Sequence, residues 1–351
     1  MREIAFAIPG DLATLTGGYV YARRLIAALP AQGWQARVIA LPGSYPYPSS
    51  TDSAETAKAF AGLSAGQPVI VDGLAFGAMP HDLLNAHPLA YIALVHHPLA
   101  DETGLADETR RAFADSERAA LACARHVICT SAHTAQALAR DYDVPAARIT
   151  VARPGTDPVA PAEEAKPARE PTLLTVATLT PRKGHLDLIE ALGGLRELPW
   201  QCVFVGSADR DRDHAHKIRT AIAAQGIGER ITFTGALDSA RLDEHYRAAD
   251  IFVLPSRHEG FGMAFAEAMS HGLPIVGCAA GAVPEVVPPE AGLLVPANDA
   301  QALSQALGRL IGDAALRARM GAAARDAAGK LSRWDHTARL VARALDEVVG
   351  A

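Results

Sequence analysis

Short apolar runs alternate with longer amphipathic ones along the whole of this chain, and no other feature limits its fold as much. A run that stays apolar from end to end, without the every-other-residue polarity of a half-exposed strand, belongs in a sheet covered on both faces. Parallel strands with helical crossovers supply that cover. In the first half the strand candidates are Ile4–Ile8, Arg37–Leu41, Val69–Asp72, Tyr91–His96, His126–Thr130 and Ile149–Ala152, with helical runs such as Tyr19–Leu29 and Glu108–Ala124 between them. The second half restarts the pattern with Thr172–Thr178, Cys202–Val205, Ile231–Thr234, Ile251–Leu254, Pro274–Gly277 and Leu293–Val295. Between the halves, residues 158–171 are rich in Pro, Ala and charge and read as a linker.

At 351 residues the chain is long for one core. The fold class is therefore α/β, with two Rossmann-like, doubly wound domains at residues 1–157 and 172–332. An amphipathic helix, Trp334 to Val349, follows within residues 333–351. Ligands of such sheets sit beyond the carboxyl ends of the strands, so both domains are expected to present loops to a shared cleft. A net charge of −6 without clustered Lys and Arg argues against a nucleic-acid partner. Cys123, Cys129, Cys202 and Cys278 are scattered, with no metal-binding spacing, and read as buried thiols of a reducing compartment. The first residues form too short an apolar run for a signal peptide, and no window reaches the roughly 18 apolar residues of a membrane span. A cytoplasmic enzyme fits these features.

The chemistry concentrates in Arg257-His258-Glu259-Gly260-Phe261-Gly262-Met263-Ala264-Phe265-Ala266-Glu267 and the following Ala268-Met269-Ser270-His271-Gly272-Leu273-Pro274-Ile275-Val276. An apolar strand, a glycine turn and a helix start aim backbone N–H groups and a positive helix end at one point, a ready site for a diphosphate. Glu259 in the loop and Glu267 in the helix flank that point with hydroxyl-binding carboxylates. The arrangement suits a nucleotide-sugar.

This segment resembles the E-x7-E motif of the retaining glycosyltransferases of family 4, which have the GT-B fold. The order of apolar strand, Pro-Ser, Glu-Gly-Phe-Gly, Glu-Ala-Met and Gly-Leu-Pro-Ile-Val follows the family as well. The resemblance implies that the last helix crosses back onto the first domain. It places Lys183, in Val176-Ala177-Thr178-Leu179-Thr180-Pro181-Arg182-Lys183-Gly184, on the family's diphosphate-binding lysine. Ala177-Thr178 stands where the family has Gly-Arg, which removes one expected cation, and Arg182 is the candidate to replace it. The resemblance also implies that His96, at the end of Tyr91-Ile92-Ala93-Leu94-Val95-His96-His97-Pro98, lies beside the donor sugar. Because side chains alternate along a strand, His96 and His97 are not expected to reach the same ligand. Gly17-Gly18 matches the family's glycine loop near donor diphosphate and acceptor, where a bare backbone permits close approach. Arg153-Pro154-Gly155-Thr156-Asp157 matches the segment closing the first domain, with Arg153 and Thr156 as departures, and its role is structural.

The resemblance implies a retaining hexosyltransferase using a nucleoside diphosphate sugar as donor substrate, with no cofactor and no metal. Lys183, Arg182 and the amides around Gly262, with Phe261 and Met263, would hold the diphosphate. Glu267 would bind the ribose, and Glu259 and His96 the sugar. An epimerase or hydrolase on the same fold, and a non-catalytic sugar-nucleotide-binding partner protein, stay open as alternatives. The acceptor, whether saccharide, lipid-linked or small molecule, is not readable. The resemblance leaves peripheral contact at the inner membrane face open, since many family members act on lipid-linked acceptors there. Arg23-Arg24 suggests it only faintly, because paired arginines on a helix usually mark a solvated face. Asp209-Arg210-Asp211-Arg212-Asp213 lacks the glycine and the final Glu of a calcium loop, and with His214 and His216 it reads as a solvated face.

Overall fold

All twelve apolar runs become strands, and every pairing among them is parallel. The first sheet contains β1 (Arg2–Pro9), β2 (Trp34–Leu41), β3 (Pro68–Asp72), β4 (Ala90–Val95), β5 (His126–Cys129) and β6 (Ile149–Val151), in the order β2-β1-β3-β4-β5-β6. The second contains β7 (Thr172–Val176), β8 (Gln201–Val205), β9 (Ile231–Gly235), β10 (Ile251–Leu254), β11 (Ile275–Cys278) and β12 (Gly292–Val295), in the order β12-β11-β10-β7-β8-β9. The computed structural model describes residues 2–160 and 169–350. Of the stretch expected as a linker, residues 161–168 lie outside the described residues.

The chain divides into one unit of Met1–Gly155 with Ser332–Ala351 and another of Thr156–Leu331. The helix Trp334–Gly350 thus belongs with the first sheet, although the second sheet precedes it in sequence. Its buried residues Trp334, Ala338, Val341, Leu345 and Val348 recur at helical spacing and form one apolar stripe. Thr337 Oγ1 donates to the carbonyl of Arg153 at 2.6 Å, and a Cβ on Gly155 would stand 2.3 Å from the Trp334 nitrogen. The structural role expected of Arg153–Asp157 is therefore to seat that helix.

Each sheet has one place where the chain reverses direction across it. In the first sheet this lies between β1 and β3, and in the second between β7 and β10. Loops leaving adjacent strands at such a point diverge to opposite faces and leave a crevice beyond the carboxyl ends. The loop Ala177–Gly184 follows β7, and the loop Pro255–Gly262 follows β10.

Several sequence expectations are corrected by the structure. Strand β2 begins at Trp34, not Arg37, because it is an edge strand whose exposed Gln35 hides the apolar pattern. Strand β4 ends at Val95, so His96 opens the loop, and β7 ends at Val176, two residues before Thr178. The helix after the β7 loop, His185–Gly193, stops where Gly193-Gly194 weakens it. Cys123 is only partly buried, unlike Cys129, Cys202 and Cys278, and all four are free thiols. His214 is buried and not solvated, since the helix Arg212–Gln225 turns it inward beside Ala215 and Ile218. Arg23 and Arg24 are not a solvated pair. Arg23 donates to the carbonyls of Leu12 and Thr14, at 2.5 and 2.9 Å, and Arg24 lies 5.2 Å over the Trp334 ring.

Candidate functional site

In the second unit the residues that follow β7 and β10 converge at the switch point. After β7 the chain makes a short 3-10 turn, Pro181–Lys183, and enters the helix His185–Gly193 through Gly184, whose φ is 70°. A Cβ on Gly184 would lie 2.1 Å from the Pro255 carbonyl, so only glycine lets the two loops touch. Backbone contact continues with Arg257 N donating to the Arg182 carbonyl at 2.8 Å. The same contact puts three charged side chains together. Lys183 Nζ donates to Glu259 Oε1 at 2.6 Å, while Arg182 Nη1 lies 3.8 Å from Glu259 Oε2 and donates to the His258 carbonyl at 2.9 Å. Arg182, read as the replacement for the cation missing at Thr178, therefore reaches the same carboxylate as Lys183.

Glu259 is 7% exposed. Burial alone would raise its carboxyl pKa, but the Lys183 ammonium and the Arg182 guanidinium outweigh burial and hold it at about 2. Glu259 is thus a fixed anion that can only accept hydrogen bonds. Its loop is pinned from the other side by Gly281, at φ 58°, and by Ala282 N donating to the Glu259 carbonyl at 2.8 Å.

Beyond Glu259 the chain enters the helix Met263–Ser270 through Gly262, at φ 101°. Phe261 buries its ring among Phe252, Phe265 and Leu254, so it offers a ligand backbone and not side chain. Neither this helix nor His185–Gly193 has a side-chain cap. Among the other described helices of this unit, Asp211, Asp238, Asp299 and Asp313 each cap an N-terminus with a carboxylate. Glycine at the N-termini of His185–Gly193 and Met263–Ser270 places no capping carboxylate there, and Asp187 in the first turn of His185–Gly193 is paired with Arg257 at 3.1 Å, which leaves the positive helix ends for an outside anion.

Glu267 lies in the second turn of its helix and is half-buried. The Tyr246 hydroxyl donates to its Oε2 at 2.9 Å. Burial and the Glu267 carboxylate together push the Tyr246 phenol well above its usual value of 10, so it stays a donor. Tyr246 stacks on His271, whose Nδ1 meets the Glu267 carbonyl at 2.8 Å. Sequence reading missed Tyr246, because no local motif links the helix Ser239–Ala248 to the one that carries Glu267.

In the first unit Gly17-Gly18 opens the helix Gly17–Ala28 after β1, as read from sequence. A Cβ on Gly18 would lie 3.3 Å from Cδ2 and Nε2 of His96, so the glycine backs the imidazole directly. Tyr21, one turn on, meets the same ring edge-on at 5.4 Å between centroids. His97 points elsewhere, with Nε2 3.9 Å from Glu102 Oε2. The two histidines therefore have separate surroundings, although both lie in the loop past the end of β4 and strand alternation is not what separates them. Asp72, which sequence reading did not single out, ends β3 with its Oδ2 3.5 Å from His96 Nε2.

Among the described residues, no group of three or more His, Cys, Asp or Glu side chains could hold a metal ion. No described helix is long and apolar enough to cross a membrane.

Two family models match the chain in succession, Glycosyltransferase Family 4 over residues 15–159 and Glycosyl transferases group 1 over residues 157–327. The D-inositol 3-phosphate glycosyltransferase of Xylanimonas cellulosilytica is 31% identical over 239 residues, 63% of this chain and 57% of that protein. The GDP-mannose-dependent alpha-(1-6)-phosphatidylinositol monomannoside mannosyltransferase of Mycobacterium tuberculosis is 31% identical over 218 residues, 56% of each. The chain thus spans a little over half the length of these curated relatives. Among solved structures, the sucrose-phosphate synthase of Thermosynechococcus elongatus superposes over the whole of both chains with a TM-score of 0.83 and 26% identity. Anabaena HepE in complex with UDP-glucose shares the fold, with a TM-score of 0.78 at 18% identity over 99% of this chain and 100% of that one.

Proposed function

The chain belongs to glycosyltransferase family 4, and on that premise we propose that it transfers a hexose-type sugar, with retention of configuration, from a nucleoside diphosphate sugar to an acceptor. The observation that carries this reading is the cluster of Lys183, Arg182 and Glu259 between two glycine-entered, uncapped helix N-termini at the β7/β10 switch. Bond cleavage leaves a nucleoside diphosphate with growing negative charge, and groups fixed in advance around that charge lower the barrier most. Lys183 donates to Glu259, and an ammonium has three N–H donors, so it would bridge from that carboxylate to the diphosphate. Arg182 and the amides from Gly260 to Met263 would hold the remaining phosphate oxygens.

Glu259, ionised throughout the working range, would accept hydrogen bonds from sugar hydroxyls. Glu267, oriented by Tyr246, would accept from the ribose. His96 and the Gly17-Gly18 turn would serve the substrate from the first unit. In this scheme the leaving phosphate assists deprotonation of the acceptor, and charge neutralisation falls to the side chains and helix ends without a metal or a resident cofactor. Free thiols at all four cysteines support a reducing, cytoplasmic setting. Arg23 and Arg24 lend membrane contact little support, because both side chains are engaged within their own unit.

The test is thermal stabilisation by a panel of nucleoside diphosphates and their sugars, on the parent and on Glu267→Ala, followed by transfer assays that start from inositol-containing acceptors such as those in the relatives' names. Selective stabilisation that is lost in the variant is expected. No response to any nucleotide would overturn the reading. Donor consumption at an equal rate with and without acceptor would replace it with a hydrolase or epimerase.

A further inference from the structure

The corner of the first unit around His96 sets a carboxylate beside an imidazole, and its geometry is directional. Asp72 is the last residue of β3 and His96 follows the last residue of the adjacent strand β4, so the sheet itself sets them side by side. Asp72 is 6% exposed, and its carboxylate is already committed on one side. Oδ1 accepts the Leu74 N–H at 2.9 Å and caps the helix Gly73–Phe76. The other oxygen, Oδ2, faces His96 Nε2 at 3.5 Å, a few tenths of an ångström beyond an ordinary N–H···O bond.

Nothing else among the described residues competes for that nitrogen. Nε2 is buried without a hydrogen-bond partner, and Gly18 and the edge of Tyr21 flank the ring. The His96 side chain is still 23% exposed, and Nδ1 is neither buried nor bonded to protein. A carboxylate accepts hydrogen bonds and has none to donate, so the nitrogen facing it carries the proton and the other nitrogen of a neutral ring does not.

We propose that Asp72 is a positioning residue that holds His96 as the Nε2–H tautomer and so presents Nδ1 as a hydrogen-bond acceptor to a hydroxyl of the sugar substrate. The substrate half of this statement rests on the glycosyl-transfer reading above, and the tautomer half does not. Gly18 belongs to the same device, because any side chain there would press on the imidazole and turn Nε2 from Asp72.

The direct test is a spectroscopic one on the full chain labelled with 15N-histidine, at mildly alkaline pH where imidazoles are neutral. Long-range 1H–15N correlation separates the two tautomers, and a His96→Gln variant assigns the His96 signal among the 13 histidines. The parent is expected to show Nε2–H. In Asp72→Asn the amide oxygen still caps Leu74 N, which turns the amide nitrogen toward Nε2 and forces the ring to Nδ1–H. The signature then inverts, the thermal midpoint holds, and kcat/KM for transfer falls about tenfold, the worth of one hydrogen bond to a substrate. An Nδ1–H parent overturns the proposal even if no variant folds. An Asp72→Asn protein with an unchanged signature overturns it too. An inverted signature in a chain that transfers no sugar would sustain the Asp72–His96 placement and refute the transferase reading.

Discussion

The two parallel sheets of this chain both gather side chains just past neighbouring strand ends, and the two gatherings have opposite chemistry. In the second unit the loops after β7 and β10 meet through a glycine, and the side chains beyond them form an ionic cluster of Lys183, Arg182 and Glu259. In the first unit the residues at the ends of β3 and β4, beside the glycine turn that follows β1, form a pair in which a capped carboxylate faces one imidazole nitrogen. The first arrangement concentrates fixed charge and suits an anion. The second fixes the direction of a neutral donor and acceptor and suits hydroxyls. One parallel-sheet plan therefore supplies two kinds of site, and the difference lies in the few residues just past the strand ends.

The largest effects should fall on the charged side of this contrast. Lys183→Ala and Glu259→Ala are each expected to lower kcat/KM by roughly 10²–10³-fold, the cost of removing one preorganised electrostatic group. Steady-state kinetics that found Asp72→Asn as damaging as Lys183→Ala would erase the distinction between the corners. An acid titration comes next. The Glu259 carboxyl sits at about 2 in the folded protein against a usual 4.5. A depressed value means that its stabilising contribution is complete above pH 4.5 and is lost as pH falls toward 2, in total on the order of 3 kcal/mol. The stability difference between the parent and Glu259→Gln, followed by denaturant melts across that window, should shrink with falling pH. A constant difference would mean that the ion pair does not form in solution.

Backbone substitutions sharpen the same comparison. Gly184→Ala puts a Cβ against the Pro255 carbonyl at a positive φ and should cost about 2 kcal/mol or more. Gly18→Ala meets only the edge of a movable ring at 3.3 Å and should cost less than about 1 kcal/mol in urea unfolding, while shifting the His96 NMR signal. Equal losses in the two would show that both corners are built on rigid backbone contact. A similarly small effect is expected from Tyr246→Phe, which removes one hydrogen bond to Glu267 and should cost about 1 kcal/mol or less in thermal unfolding.

Much of this was legible before any coordinates. Strand positions came from unbroken apolar runs such as Ile251–Leu254, and the second-unit candidates came from a local motif whose glycines and glutamates lie within one strand–loop–helix passage. The errors had local causes as well. Edge strand β2 was read short because its exposed face carries polar residues, and His214 was read as solvated because its charged neighbours mask a helix that turns it inward. Arg23 and Arg24 looked like a surface pair because their partners, the Leu12 and Thr14 carbonyls and the Trp334 ring, belong to other segments. Asp72 and Tyr246 escaped notice for the same reason, since each acts on a residue of a different element.

By itself the sequence determined the two parallel sheets and the glycine-entered helix N-termini, because apolar periodicity and glycine conformations are properties of neighbouring residues. The local motif and the family resemblance singled out Lys183, Glu259, Glu267 and His96 as candidates. Only the tertiary structure decided that Arg182 shares Glu259 with Lys183, that Tyr246 fixes Glu267, that Asp72 faces His96, and that the terminal helix packs on the first sheet. Those contacts join residues far apart in the chain, and the order of strands in each sheet sets which distant residues become neighbours.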